Sequence, residues 1–409
     1  MFERAIKIHV KTALQNYPVV IITGPRQVGK STLVYEFVKE NGFSYISLDN
    51  IEQRKLAIED PKYFLQQFKT PLIIDEVQYA PILFEVIEEI VNKKRLIEGS
   101  ANGMFLLTGS QAFHMMKNVT QSLAGRASII KMQPLSLNEI FGVKTIPFVP
   151  SKKRIEEYKK KAHLNVEEVF EYITKGMYPE LYKDNRQIID YYENYVQTYV
   201  DRDINQLINV REKMKFHDFL QFIASLTGQQ VNNADIARRL GVSSPTVQHW
   251  LSILEATGLI YFLQPYNDLS ITKRVVKGKK MYFSDTGLAA YLAKLNNAAI
   301  LKNSNFSGAF NETFIMNEIR KTFLNNKLEF PAYYYRDNKQ NEIDLILLFE
   351  GKLSLIEIKQ GVQFHLNDVK SFEQLAESMY PIENQVIVCN TEDNYPLNRS
   401  VQVISLMTI

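Results

Sequence analysis

Short apolar runs separated by helical stretches make up the first third of the chain. The runs lie at residues 18–23, 43–48, 71–77, 104–108 and 127–132, and each is rich in Val, Ile, Leu or Phe. Each run is too short for a buried helix, whereas strands covered on both faces have this uninterrupted apolar character. The pattern therefore predicts a parallel β-sheet with helices on both faces.

The pattern changes after residue 145. Pro147, Pro150 and a lysine-rich stretch at 152–161 predict a linker or an inserted helix, and residues 166–230 look mostly helical. A helix, a turn, a second helix and two strands are predicted between 232 and about 285. From residue 310 onward a helix precedes a hairpin and further α/β elements.

Composition favours a folded protein. Of 409 residues, 45% are hydrophobic and 23% are charged, and 48 basic against 45 acidic residues give a net charge of +3. This balance excludes disordered and low-complexity chains. The single cysteine, Cys389, excludes an intrachain disulfide and a cysteine-rich zinc site. The apolar runs are far shorter than the ~20 residues of a spanning helix, so we expect a cytoplasmic protein with no membrane partner.

A glycine-containing motif follows the first run. Residues 24–31, Gly-Pro-Arg-Gln-Val-Gly-Lys-Ser, match G-x-x-x-x-G-K-[ST] between a predicted strand and a predicted helix. Such a loop turns backbone N–H groups toward phosphates, and the helix N-terminus adds partial positive charge. Lys30 is expected to reach the β- and γ-phosphates of ATP, and Ser31 to bind Mg²⁺. The alternative is a chance match, which this context disfavours. The predicted nucleotide-binding residues are Gly24, Pro25, Arg26, Gln27, Val28, Gly29, Lys30, Ser31 and Thr32.

The third run ends in two carboxylates, Asp75 and Glu76. An aspartate at a strand end beside the phosphate loop can orient Mg²⁺, which is the role predicted for Asp75. Glu76 would point the other way from the strand and is the predicted general base for the attacking water. A solvated strand end is the alternative. Ser110, after the fourth run, is predicted to contact the γ-phosphate or the water, with an ordinary turn serine as the alternative.

Several motifs together resemble one protein family. They lie at residues 23–31, 73–78, 107–110, 123–126, 134–139, 175–180, 199–204 and 357–359. Over most of its length the chain resembles bacterial and archaeal AAA-type ATPases whose C-terminal half is a domain of unknown function. It departs from them at Lys175, where a small residue is common. The resemblance implies that Arg126 stabilises phosphate charge, either on its own nucleotide or as an arginine finger within a homo-oligomer. A structural salt bridge is the alternative for Arg126.

Residues 232–283 have the pattern of a helix-turn-helix with a wing. Ser244 is the predicted N-cap of the second helix, and Pro245 its first residue. On double-stranded DNA this helix would enter the major groove, and a basic loop would contact phosphates. Binding of a protein partner is the alternative, because the exposed helix face carries no arginine. The base-facing residues would be Ser243, Ser244, Thr246, Gln248 and His249, and the basic loop contains Lys273, Arg274, Lys277, Lys279 and Lys280.

Two predicted strands flank Glu350-Gly351 and carry charged residues at regular spacing. A two-residue turn there sets Phe349 opposite Lys352, and the same register sets Asp344 opposite Glu357 and Glu342 opposite Lys359. Because side chains alternate, all four charged residues would share one face. An odd-length turn would destroy this arrangement.

Facing carboxylates repel each other unless a cation or a proton lies between them. Asp344, Glu357 and the Ile358 carbonyl are therefore predicted to hold Mg²⁺, with Lys359 acting on a water and Glu312 adding a carboxylate. This resembles restriction-endonuclease-like proteins, many of which keep the fold without cleaving DNA. A Glu342–Lys359 salt bridge with an inert hairpin is the alternative.

These features predict an α/β multidomain chain. It comprises a P-loop NTPase sheet at 1–145, a helical linker at 146–230, a winged helix-turn-helix at 231–300 and a restriction-endonuclease-like module at 301–409. The first hypothesis is a Mg²⁺-dependent ATPase that moves the C-terminal regions on DNA. The others are an ATP-gated scaffold with a protein partner, and an ATP-dependent nuclease.

Overall fold

The computed structural model describes residues 2–109, 123–157, 164–183, 187–200, 213–267 and 278–409. The five apolar runs form a parallel sheet in the order β2-β3-β4-β1-β5. β1, β3 and β4 are buried at every position, as expected for strands with helices on both faces. The predicted α/β multidomain fold with a P-loop-type sheet is confirmed. The strands are β1 (Val19–Thr23), β2 (Ser44–Ser47), β3 (Leu72–Asp75), β4 (Phe105–Thr108) and β5 (Ala127–Lys131).

Two apolar layers cover this sheet. Because side chains alternate along β1, Val20 and Ile22 pack in one layer, and Val19 and Ile21 pack in the other. The layer around Val20 continues into the C-terminal half, so the parallel sheet shares its core with the rest of the chain. The helices around the sheet are α1 (Lys7–Asn16), α2 (Lys30–Asn41), α3 (Ile51–Glu59), α4 (Pro61–Gln66), α5 (Leu83–Glu98) and α6 (Leu137–Ile140).

Short helices follow. Asn165 and Glu168 form a reciprocal capping box at the start of the second of them. That helix ends at Gly176, whose φ is +74°, and a Cβ there would lie 2.0 Å from the Tyr192 hydroxyl, so only glycine fits. The helices are α7 (Lys152–Glu157), α8 (Val166–Lys175), α9 (Ile188–Tyr195) and α10 (Lys213–Ala224).

The helix-turn-helix elements lie where the pattern predicts them. α11 (Asn233–Leu240) and α12 (Ser244–Ala256) precede β7 (Ile260–Pro265) and β8 (Lys280–Phe283), and β8 also pairs with β6 (Gln229–Gln230). The predicted N-cap of the second helix is wrong by one residue. Ser243, not Ser244, caps α12, and its hydroxyl accepts the Thr246 N–H.

The C-terminal strands continue the sheet of β7 rather than forming a separate one. The order is β13-β14-β12-β11-β10-β9-β7-β8-β6, with β7 parallel to β9. In the hairpin, Phe349 pairs with Lys352 and Leu345 with Ile356, which is the predicted register. The elements are α13 (Thr286–Leu292), α14 (Ala298–Lys302), α15 (Ser307–Leu324), β9 (Ala332–Arg336), β10 (Glu342–Phe349), β11 (Lys352–Ile358), β12 (Ile382–Cys389), β13 (Tyr395–Pro396) and β14 (Val401–Ser405).

Helix α15 joins the C-terminal region to the segment that follows β5. A Glu318 carboxylate oxygen accepts the Leu137 N–H at 2.7 Å, and the Lys321 ammonium donates to the Leu135 carbonyl at 2.8 Å. Glu318 and Lys321 are themselves paired at 2.7 Å and are almost fully buried. Across the described ranges, no helix has the length and apolar character needed to cross a membrane.

Candidate nucleotide site and carboxylate cluster

The loop between β1 and α2 has a backbone that only its glycines permit. Gly24 has a φ of +143°, and a Cβ there would lie 2.3 Å from the Met132 carbonyl oxygen. Gly29 has a φ of +95° and precedes the first residue of α2. The glycines therefore allow the loop to press against the end of β5 and to enter the helix in one turn.

Lys30 is buried at the centre of this loop. Its ammonium donates to the Gly24 carbonyl at 3.0 Å and to the Pro25 carbonyl at 2.7 Å. Burial lowers the pKa of Lys30 to about 8, although the negative charge of Glu76 opposes that shift. The ammonium is thus held inside the loop, bonded to carbonyls that phosphate oxygens can replace as acceptors.

Asp75 and Glu76 lie at the carboxyl end of the sheet. Asp75 is buried and accepts hydrogen bonds from the Thr108 hydroxyl and, at 2.9 Å, from the Tyr45 hydroxyl. The strand ends at Asp75, and Glu76 has a left-handed φ of +57°. Strand alternation was the reason to expect that Glu76 points away from Asp75. That reason is wrong, because Glu76 lies outside the strand. Glu76 lines the same cavity as Lys30 because the chain turns there.

A cavity of about 590 Å³ opens beside the loop. Six of the nine predicted nucleotide-binding residues line it, together with Glu76. It is also lined by residues from outside the sheet, including Phe2, Arg4, Pro179 and Glu180. Pro179 and Glu180 lie in the motif at 175–180, but no contact with a nucleotide was predicted for any of the four residues. The six predicted residues are Arg26, Gln27, Gly29, Lys30, Ser31 and Thr32.

Arg4 holds the loop from behind. Its guanidinium donates to the Val28 carbonyl at 2.6 Å, to the Gln133 carbonyl at 2.7 Å and to the Glu139 carboxylate at 2.9 Å. All of these groups are buried in one network, which is the setting in which a charged donor contributes most. The N-terminal segment thus fixes the phosphate loop against the strand-to-helix connection after β5.

Arg126 lies at the amino end of the parallel strands, whereas the loop lies at their carboxyl end. It directly precedes β5, and β5 runs parallel to β1 with Ala127 beside Val19. A five-residue strand spans roughly 16 Å, so an action of Arg126 on the nucleotide of its own chain does not fit this position. Its guanidinium contacts Glu88 at 3.2 Å and Asn92 at 2.8 Å. Stabilisation of phosphate charge by Arg126 on a neighbouring chain stays a prediction. Ser110, the other residue predicted to act on the γ-phosphate or the water, lies outside the described residues.

The C-terminal charged residues form a cluster with a member that the sequence did not indicate. The ammonium of Lys280, predicted to contact phosphates from the wing, lies 3.0 Å from Glu312, 2.5 Å from Glu342 and 3.8 Å from Asp344. Lys280 is only 2% exposed, so the prediction that it contacts DNA is wrong. Lys273, Arg274 and Lys277 lie outside the described residues.

Asp344, Glu357 and Lys359 are brought together as predicted, but their contacts differ. Lys359 pairs with Glu357 at 2.7 Å instead of with Glu342, and the Ile358 N–H donates to Asp344 at 2.9 Å. Burial, followed by repulsion from Asp344, raises the pKa of Glu357. In the described part of the chain, no group of three or more Asp, Glu, His or Cys side chains has an arrangement that fits a metal ion. A Mg²⁺ site made of two carboxylates, Asp344 and Glu357, with the Ile358 carbonyl is smaller than such a group and stays a prediction.

The face of α12 predicted to read DNA is accessible. Ser243, Gln248 and His249 are exposed, and Ser244 and Thr246 are half-buried. In α11, Arg238 and Arg239 both pair with Asp235. Lys279 is half-buried, so within the described residues this surface carries little unpaired positive charge.

Comparisons with known proteins agree with the loop geometry. Residues 16–141 match an AAA domain, and residues 166–299 and 307–409 match two domains of unknown function, DUF8612 and DUF4143. An uncharacterized protein of Mycobacterium tuberculosis is 26% identical over 353 residues, which are 86% of this chain and 72% of that protein. An uncharacterized protein of Haemophilus influenzae is 25% identical over 292 residues, covering 66% of this chain and 67% of that protein.

Solved structures give weaker likenesses. A Walker-type ATPase of Pyrococcus abyssi aligns with 71% of this chain and 96% of its own at 16% identity and a TM-score of 0.42. The AMPPCP-bound DnaA of Aquifex aeolicus aligns with 60% and 86% at 15% identity and a TM-score of 0.29. Both scores are low, so the assignment depends on the matched families and the loop. By these, residues 16–141 form an AAA domain that contains the P-loop, and residues 307–409 form a DUF4143 domain.

Proposed function

We propose that this protein binds ATP with Mg²⁺ at residues 24–31 and hydrolyses it. The observation that carries the proposal is the buried Lys30 ammonium, held by the Gly24 and Pro25 carbonyls at the edge of an open cavity. A triphosphate can replace both carbonyls as acceptors and also receive the backbone N–H groups at the start of α2. The helix of twelve residues adds its positive end to the same place.

Mg²⁺ fits the oxygen donors at this edge of the sheet. Ser31 is exposed on the cavity, and the buried Asp75 is oriented by Thr108 and Tyr45. Ser31 would hold the ion directly, and Asp75 would orient it. When bound, the ion would neutralise charge that develops on the phosphates. Glu76, on the cavity wall, would accept a proton from the attacking water.

Phosphate release from ATP tests this proposal. The full chain should turn over slowly with Mg²⁺, and Glu76→Gln should abolish turnover while leaving ATP binding intact. Glu52→Gln, on the exposed first turn of α3, is the matched control. Turnover that survives in Glu76→Gln at the wild-type rate would remove Glu76 from the reaction.

Nucleotide-dependent movement of the C-terminal regions is the second part of the proposal. Pro25 of the loop lies against the turn that ends α12, where a Cβ at Gly258 would be 3.4 Å from the proline ring. Arg320 of α15 donates to the Gln133 side chain at 3.1 Å, and the Gln133 carbonyl accepts Arg4 behind the loop. A shift of the loop on γ-phosphate loss would therefore reach α12 through Pro25 directly and α15 through Arg4 and Gln133.

Double-stranded DNA is the proposed partner of α12, and a protein is the alternative. The exposed polar face at 243–249 supports either one, whereas the paired arginines of α11 favour the protein. ATPase rates with and without duplex DNA distinguish them. Stimulation that falls with added salt supports DNA. If DNA changes the ATPase rate of neither the wild type nor the double variant Gln248→Ala/His249→Ala, the result supports the protein partner.

Action of Arg126 on a neighbouring chain would require a homo-oligomer. Arg126 pairs with Glu88 and Asn92 of α5 at a partly exposed edge, which is also the arrangement of a structural salt bridge. Mixing Arg126→Ala chains with Lys30→Ala chains tests the trans role. Partial recovery of turnover in the mixture supports it, because intact Lys30 and Arg126 then come from different chains. No recovery favours the salt bridge.

A further inference from the structure

The carboxylate cluster of the C-terminal sheet surrounds a lysine from a different part of the chain. Lys280 is the first residue of β8, Glu312 lies on α15, and Glu342 and Asp344 lie on β10. The Lys280 ammonium lies within 4.0 Å of all three carboxylates, at 3.0, 2.5 and 3.8 Å. Its side chain is 3% exposed, so water screens these interactions little.

Each of the three carboxylates around this lysine also binds a second group. The Glu312 oxygen that binds Lys280 also accepts the Tyr282 hydroxyl at 2.6 Å. The second Glu342 oxygen lies 3.5 Å from Arg336, and the second Asp344 oxygen accepts the Ile358 N–H at 2.9 Å. These contacts fix the carboxylates around an ammonium rather than around an empty space.

A divalent ion and an ammonium compete for such a position. Mg²⁺ needs several oxygens at about 2.0–2.1 Å around one point, and it is repelled by a positive charge a few ångströms away. The Lys280 ammonium lies where Glu312, Glu342 and Asp344 converge, which is where an ion shared by them would lie. The buried lysine places one positive charge at this point, and a second cation there would be repelled by it.

We infer that Lys280 is the resident cation of this cluster, so that Glu312, Glu342 and Asp344 form with it an ion-paired junction between β8, α15 and β10 and not a divalent-metal site. The junction adds charge pairing between β8 and β10 to the backbone pairing of the continuous sheet, in which β7 and β9 lie between them. This inference does not depend on ATP binding at the loop.

Mn²⁺ titration of the nucleotide-free full chain tests the inference. Wild type and Asp344→Asn should give the same isotherm, because Asp344 contributes to no metal site. Lys280→Met, which keeps the length of the side chain and removes the charge, should gain a Mn²⁺ site that the double variant Lys280→Met/Asp344→Asn lacks. Lys279→Met, at the neighbouring half-buried position, is the matched control and should gain none.

Three results would overturn the inference. They are Mn²⁺ binding in wild type that Asp344→Asn abolishes, a folded Lys280→Met chain that gains no site, and Mn²⁺-dependent plasmid cleavage by wild type that Asp344→Asn removes. If Lys280→Met folds only when Mn²⁺ is present, the ion has replaced the ammonium, as the inference requires. If that variant does not fold at all, the comparison of wild type with Asp344→Asn still decides.

Discussion

Replacing Lys30 by alanine should weaken ATP binding strongly but change the stability of the free protein little. Without nucleotide, the buried ammonium carries a desolvation cost, since its pKa falls from 10.5 to about 8. That shift corresponds to about 3 kcal/mol. Its two hydrogen bonds, to the Gly24 and Pro25 carbonyls, return roughly 3 kcal/mol because the donor is charged. The two contributions nearly cancel, so Lys30→Ala should change the free energy of unfolding by no more than about 1 kcal/mol.

ATP binding should respond very differently to the same substitution. A buried charge pair between the ammonium and the phosphates is lost, which costs about 3 kcal/mol or more. The dissociation constant for ATP should therefore rise about 100-fold.

Isothermal titration with ATP and Mg²⁺, combined with urea unfolding of the free protein, measures both quantities. Lys39→Ala is the matched control, because Lys39 lies on the same helix but is exposed and does not line the cavity. It should change neither quantity. An ATP affinity of Lys30→Ala within threefold of wild type would refute the role given to the ammonium. A loss of several kcal/mol in stability with unchanged affinity would show that Lys30 is structural.

Four further predictions concern the nucleotide site and the glycine that follows α8. Glu76→Gln should bind ATP within about threefold of wild type, and its single-turnover rate should fall at least about 100-fold; an unchanged rate would contradict this. The pKa of Lys30 is about 8 in the nucleotide-free protein, and phosphates favour the charged form of its side chain, so ATP binding at pH 9 should take up a proton. Calorimetric titration in buffers of different ionisation enthalpy measures this proton uptake. Binding without proton uptake would contradict the prediction. The same depressed pKa means that the cost of burying the charged form is present below about pH 8 and is relieved as pH rises toward 10.5, so Lys30 should raise the stability of the free protein over that window. Gly176→Ala should lower the free energy of unfolding by about 3 kcal/mol, because the residue has a φ of +74° and its Cβ would clash with Tyr192. Gly99→Ala is the control, since Gly99 has a φ of +76° but open space around it, and it should cost only about 1 kcal/mol. Equal losses in urea unfolding would contradict the clash.

Two parts of the fold that depend on local sequence, the loop at 24–31 and the hairpin at 342–358, were predicted correctly. The loop at 24–31 needs only its own glycines and the strand and helix beside it. The hairpin register follows from a two-residue turn, and Glu350 and Gly351 have the positive φ values of 52° and 76° that such a turn requires. In both cases the residues that decide the geometry lie within a few positions of one another.

The parts that depend on distant contacts were not predictable in the same way. Lys280 lies 62 residues from Glu342 in sequence, and it looked like one more basic residue of a wing. Arg126 was assigned from a resemblance, whereas strand direction decides which end of the sheet it occupies. Arg4 supports the phosphate loop from the N-terminal segment, and no motif surrounds it. Burial and pairing across the chain determine these roles.

The continuous second sheet was also not predictable from local sequence, because it depends on which distant strands pair. β7 pairs in parallel with β9, so the sheet runs across residue 300, where a domain boundary was predicted. Apolar periodicity identifies β7 and β9 as strands but does not say which strands are neighbours. The pairing also explains how Lys280, on β8, reaches carboxylates on β10.

Steady-state phosphate release from ATP by the purified full chain tests the central claim most directly. We predict slow release that requires Mg²⁺, stops with a chelator and is lost in both Lys30→Ala and Glu76→Gln. No release by a folded chain with Mg²⁺ present, or release that both variants retain at the wild-type rate, would contradict it.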